Sequence, residues 1–173
     1  MILKKVLWWA SLPLLILIFP QVLYVKRTTL RLPEANGDRL HHPENAALKL
    51  FHVGESTVAG VGVTDIHHGL TAQLASQIST KLNQPVAWQL HGVNGIKINE
   101  LNTALIETKP KHNYQIAVAT LGVNDTTKFT SLKTWRQQLN QLVTHIQLTP
   151  ETPVIFTQVP PMAQFPALPA PLK

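Results

Sequence analysis

The sequence predicts an α/β domain, a three-layer α/β/α sandwich built on a parallel sheet, and two observations carry that prediction. From Leu48 onward, short apolar runs rich in β-branched residues alternate with longer stretches in which apolar residues recur every three to four positions. Each predicted strand then ends in a glycine-rich or polar segment, as strands of an open parallel sheet do where the chain turns out into a crevice.

Ahead of this domain lies an apolar run from Val6 to Val25, interrupted only by Ser11, Gln21 and two prolines and bracketed by Lys4-Lys5 and Lys26-Arg27. At about 1.5 Å of rise per residue, ~20 residues cross the roughly 30 Å hydrocarbon core of a bilayer. Trp8, Trp9 and Tyr24 lie near its ends, where amphipathic rings favour the headgroup region. Residues 1–27 therefore read as a membrane anchor retained in the mature chain. A cleaved signal sequence is the alternative, but the bulky residues from Gln21 to Val25 offer no small-x-small cleavage site. Basic residues flank both ends, so the side of the membrane stays open. Residues 28–47 are polar and irregular, with Pro33, Asn36-Gly37 and Pro43 as turn signals, and read as a tether.

The predicted strands run from Leu48 to Val53, Val86 to Leu90, Ile116 to Leu121 and Val154 to Val159. Between them, helical periodicity covers Gly69 to Leu82 (Leu70, Leu74, Ala75, Ile78 and Leu82 on one face), Ile98 to Thr108 (Leu101, Leu105, Ile106) and Leu132 to Leu148 (Trp135, Leu139, Leu142, Val143, Ile146). Strand–helix alternation implies parallel pairing through right-handed crossovers, hence helices on both faces of the sheet.

The formal net charge of +6 is not a nucleic-acid signature. Seven Lys/Arg against three Asp/Glu fall at or before Leu50, and eight against six after it, so most of the surplus sits beside the apolar run and suits anionic headgroups. No basic stripe interleaved with aromatics appears in the domain. The chain has no cysteine, which excludes disulfides and thiolate metal sites. His52, His67, His68 and His91 do not follow a zinc spacing, so no metal and no cofactor is expected. Oligomeric state is not legible.

Three strand ends carry the chemistry. The first reads Gly54-Glu55-Ser56-Thr57 and continues to Gly62, the second His91-Gly92-Val93-Asn94-Gly95, the third Gly122-Val123-Asn124-Asp125. In this order they resemble the SGNH (GDSL-like) hydrolase superfamily, with a serine in the first block, a glycine in the second and Gly-x-Asn-Asp in the third. The resemblance runs from about Leu48 to the end, where Pro153 to Pro161 looks like the family's fourth block. It implies a flavodoxin-like sheet and a serine esterase acting through a covalent acyl-enzyme. Ser56 would be the nucleophile, and its own amide, the amide of Gly95 and the Asn124 side chain would receive the oxyanion; three donors suit an alkoxide. Gly92 competes with Gly95 in the second block. Glycine is expected at 95 because a side chain there would obstruct the approach of substrate to backbone. Asp125 is expected to support its loop.

Two departures from the pattern matter. Glu55 stands where the family carries aspartate. The family's general base, an Asp-x-x-His block after the last strand, is not met before Lys173, so the resemblance implies a C-terminally truncated domain, 48–173, missing its last strand and C-terminal helix and impaired in catalysis. The chain's own Asp-x-x-His, Asp65 to His68, lies before the first predicted helix, where Thr64 or Asp65 reads as an N-cap. The expected partners are an ester substrate and, through residues 1–27, a membrane. The alternative is a non-catalytic flavodoxin-like binding or remnant domain.

Overall fold

The computed structural model describes residues 30–108, 110 and 113–159, with isolated positions 20, 23, 24, 27 and 28 before them. The expected anchor, residues 1–27, and the proline-rich tail from Pro160 thus lie almost wholly outside the described residues. Among the described residues no helix is long and apolar enough to cross a membrane.

Side-chain alternation along the central strand, β2 (Leu48–Gly54), decides which face each helix covers. Phe51 and Val53 face one side, where they pack with Ala117, Ala119, Leu101, Leu105, Leu142 and Ile146. Leu50 faces the other, with Trp88, Leu90, Val118, Ala72 and Ala75. The helices supplying these layers are α1 (Leu70–Leu82) on the second face, and α2 (Ile98–Glu107) and α4 (Leu132–Ile146) on the first. Full burial of a side chain such as Phe51 stabilises by about 1.5 to 3 kcal/mol, so the two layers hold the sheet from both sides. The three-layer α/β/α arrangement is as the sequence predicts.

The other strands are β1 (Leu40–His41), β3 (Val86–Gly92), β4 (Ile116–Thr120) and β5 (Val154–Phe156), in the order β1-β3-β2-β4-β5. Pairing is parallel throughout except for β1, which runs antiparallel to β3. The sequence did not announce β1: it is two residues long and lies in the segment read as a tether. That segment is packed on the domain. Ala35 is buried, and its amide donates to Ala59 O at 3.2 Å, while Asn36 N donates to Thr64 O and Asn36 O accepts from Ile66 N.

A short helix, α3 (Val123–Thr127), follows β4 and was not predicted, because Asn, Asp and Thr are poor helix formers. The register pairs Gly54 with Gly92 on one side and with Thr120 on the other, so three strands end level. The chain leaves β2 between neighbours connected in opposite directions, the place where an open α/β sheet leaves a crevice.

Candidate functional site

Ser56 sits two residues beyond the end of β2, half-buried, on a tight turn. The amides of Val58 and Ala59 both donate to Glu55 O at 3.0 Å, and Val61 N donates to Ser56 O at 2.9 Å, which curls the chain back on itself. Val58 and Ala59 are buried beneath it and anchor the turn to the domain. Among the described residues neither the Ser56 amide nor its hydroxyl is engaged in a hydrogen bond, so both stay available to a ligand.

Glu55 is 4% exposed, an unusual place for a carboxylate, and its partners explain it. It accepts the backbone amide of Gly122, and that of Asn124 at 3.2 Å. Burial pushes its pKa up, while the bonds from Gly122 and Asn124 pull in the opposite direction. The extra methylene relative to aspartate does not loosen the turn: the carboxylate spans from the serine turn to the third block.

The second block separates the two glycine candidates. A Cβ on Gly92 would lie 2.4 Å from Ala59 N and 2.5 Å from the Val58 carbonyl carbon, so Gly92 is required by the serine turn lying against it. Gly95 has nothing within 4 Å of where a Cβ would stand, and its φ is +78°. The protein itself leaves room for a side chain at 95, and its positive φ is a conformation that favours glycine. The hydrogen bonds of this loop single out one amide. Val93 N donates to Gly54 O, Asn94 N to Glu34 Oε1, Ile96 N to Val93 O, Lys97 N to Glu100 Oε2 and Ile98 N to Asp125 Oδ2. Among the described residues the Gly95 N–H has no acceptor.

Asn124 lies in α3, half-buried, and its Nδ2 donates to Ile96 O at 3.1 Å. An amide nitrogen carries two hydrogens, so one remains for another acceptor. Asp125, 3% exposed, accepts from Ile98 N and from Thr130 Oγ1, fixing the start of α2 against the third block. Ser56, Gly95 and Asn124 thus belong to one bonded cluster: Glu55 ties the serine turn to Asn124, and Asn124 ties itself to the residue after Gly95. Sequence reasoning missed Glu34, Arg39 and Lys128, whose contacts with the second block span 33 to 60 residues.

His52 is occupied, and His67 lies elsewhere. His52 is buried, with Nε2 2.8 Å from Thr120 Oγ1 and Nδ1 2.9 Å from Thr71 Oγ1, and burial lowers its pKa to about 4. Asp65 caps the short 3₁₀ turn Ile66–His68, accepting His67 N at 2.7 Å, whereas the first helix, α1, which it was expected to cap, has Gly69 at its N-cap. His67 packs edge-on against His41 and Trp88 beside a groove of about 620 Å³ that Ser56 does not line. His91 Nε2 is buried without a partner among the described residues; burial, then the nearby Arg39 charge, lower its pKa. No group of three His, Cys, Asp or Glu that could hold a metal occurs among the described residues.

Residues 52–173 match the model of the GDSL-like Lipase/Acylhydrolase family. No curated protein sequence matches the chain. Among solved structures, the chain is similar to AlinE4, described as an SGNH-hydrolase family esterase, with a TM-score of 0.56 and 19% identity over 67% of this chain and 60% of that one. It is similar to TesA, with a TM-score of 0.55 and 19% identity over 67% and 64%. The psychrotrophic esterase EstA from Pseudoalteromonas sp. matches with a TM-score of 0.52 and 15% identity over 62% and 57%. At these identities the likeness is one of fold, and the aligned part of the chain spans about three fifths of each of these proteins.

Proposed function

Because the chain belongs to the GDSL-like Lipase/Acylhydrolase family, we propose that it is a serine ester hydrolase of SGNH type and that Ser56, Gly95 and Asn124 form its reaction centre. The observation that carries this reading is the set of unengaged donors gathered at the strand ends: the Ser56 amide, the Gly95 amide and one hydrogen of Asn124 Nδ2. These donors stand on the loops that follow strands ending level, where an open parallel sheet takes its ligands.

In the proposed reaction the Ser56 oxygen attacks the acyl carbon, and its proton passes to a base. The carbonyl oxygen becomes an alkoxide held by the three donors. Collapse breaks the ester C–O bond, the leaving alkoxide takes a proton, and an acyl-serine remains; water then attacks it and releases the acid. Neither His52 nor His67 supplies the base in this reading: His52 is doubly bonded to threonines, and His67 lies in the groove beside Trp88. Catalysis by the described residues alone is therefore weak, since oxyanion stabilisation and binding without the histidine leave about 10³ to 10⁴ over water.

Among the described residues no imidazole is bonded to Ser56, which leaves a second reading, a non-catalytic binding domain, and one experiment separates them. Hydrolysis of p-nitrophenyl acetate by the full chain is expected to be slow, accelerated by added imidazole beyond the rate imidazole gives alone, and reduced in Ser56→Ala to the protein-free rate with and without imidazole. A folded parent chain with no activity above the Ser56→Ala background would favour the binding domain. The apolar run Val6 to Val25 supports attachment of the protein to a membrane by a single pass; resistance of the chain to alkaline extraction from membranes tests it.

A further inference from the structure

The tip of the loop that carries Gly95, residues 93 to 95, is held by little packing. Val93 and Asn94 are exposed, Gly95 has open space around its Cα, and its φ is one that no side chain fixes. Charged side chains grip the loop from two sides, one of them the segment ahead of β2.

Glu34 Oε1 accepts the amide of Asn94 at 2.6 Å, and its Oε2 accepts from Arg39 Nη2 at 2.7 Å. Arg39 Nη1 donates in turn to Gly92 O at 3.0 Å. One ion pair thus grips the loop at two points, residues 92 and 94. On the far side Lys128 Nζ donates to Gly95 O at 2.7 Å. The peptide unit between Asn94 and Gly95, which bears the unengaged N–H, is flanked by two peptide units that are each clamped by a charged side chain.

The segment that carries Glu34 and Arg39 is itself laced to the serine turn and its continuation. Ala35 N donates to Ala59 O, Asn36 N to Thr64 O, Ile66 N to Asn36 O, and Leu90 N to Arg39 O. The space beside Gly60 is filled by the Ala35 methyl, 2.6 Å from where a Gly60 Cβ would stand. A single strap of chain therefore touches both the turn that presents Ser56 and the loop that presents Gly95, two parts of the site separated by about forty residues of sequence.

We infer that Glu34 and Arg39 are positioning residues for the Gly95 amide: through Asn94 N and Gly92 O they fix the stretch of backbone that carries that N–H. This assignment rests on the esterase reading above, in which Gly95 receives the oxyanion. Misplacing one oxyanion donor weakens transition-state stabilisation while leaving ground-state binding nearly intact, so the effect falls on kcat.

The test uses the full chain and the variants Glu34→Ala, Glu34→Gln and Arg39→Lys, each checked for folding by thermal unfolding. Two quantities are read: amide hydrogen exchange over residues 90–98 and imidazole-assisted hydrolysis of p-nitrophenyl acetate. Glu34→Ala is expected to speed exchange at Asn94 by about tenfold or more, and to lower kcat by about tenfold with KM within about twofold. Glu34→Gln, whose carbonyl oxygen still accepts from Asn94, is expected to recover most of both; if Glu34→Ala does not fold, Glu34→Gln and Arg39→Lys carry the comparison through graded, smaller changes. Unchanged exchange at Asn94 in folded Glu34→Ala overturns the assignment whether or not the parent is active. An active parent whose kcat is unmoved by Glu34→Ala also overturns it. A folded parent inactive even with imidazole overturns the esterase reading, and with it the catalytic purpose of the strap.

Discussion

The carboxylate of Glu55 accepts the backbone amide of Asn124 at 3.2 Å, joining the residue before the serine to one 69 positions away in the third block. Glu55 also holds the amide of Gly122, so a single buried side chain sets the third block against the first. Replacing it by alanine leaves two amides without a partner. At about 1 to 3 kcal/mol for each buried donor left unpaired, Glu55→Ala is expected to lower the unfolding free energy by about 2 to 6 kcal/mol. Glu55→Gln, which keeps one acceptor oxygen, is expected to lose less. Urea denaturation of the two variants checks the order.

The two glycines of the second block make opposite predictions. Alanine at 92 would drive a methyl into the backbone of Val58 and Ala59, and something in the serine turn has to move. Alanine at 95 meets open space and costs only the left-handed backbone, about 1 to 2 kcal/mol. Thermal unfolding should therefore show Gly92→Ala severely destabilised and Gly95→Ala folded, with a modestly lower Tm.

Asn124 is expected to act on rate more than on stability. Its side chain makes one hydrogen bond, to Ile96 O, worth about 1 kcal/mol net. Loss of an oxyanion donor costs about 10² to 10³ in kcat. Steady-state kinetics of Asn124→Ala with an activated ester should thus show a fall in kcat far larger than any rise in KM, in a protein that remains folded.

His52 makes stability depend on pH. Its pKa falls from about 6.5 to about 4 on folding because burial disfavours the imidazolium. The unfolded chain binds this proton more readily, so the contribution is whole above pH 6.5 and is lost as pH falls toward 4. A shift of this size corresponds to about 3 kcal/mol. His91, also lowered by burial, adds in the same direction. Unfolding free energies measured from pH 7 to pH 4 should decline, and the decline should be shallower in His52→Gln. Equal slopes would mean that His52 is not the group responsible.

The strands and helices were legible because their signals are local. Leu48 to Val53 and Val86 to Leu90 read as strands from composition, and Leu70, Leu74 and Ile78 mark a helix by spacing alone; the structure extends β2 by one residue and β3 by two. The three site blocks were legible as strand ends. The strap was not, because Glu34 and Arg39 act on residues more than fifty positions away, and nothing in a polar, proline-marked segment distinguishes a packed strap from a free tether. Two residues of pairing, Leu40 and His41, are too few to show alternation. The role of Glu55 was hidden for the same reason: the acceptor of two amides in the third block looks, in sequence, like a substitution in the first.

The central claim is that Ser56 is a nucleophile facing an oxyanion site, and covalent capture tests it most directly. The full chain, incubated with a reactive phosphonate ester in the presence of imidazole and analysed by intact mass and peptide mapping, is expected to gain one phosphonyl group on Ser56. Labelling should slow by about 10² in Asn124→Ala and vanish in Ser56→Ala. Adducts spread over other side chains, or a folded parent that labels no faster than Ser56→Ala, would contradict the account.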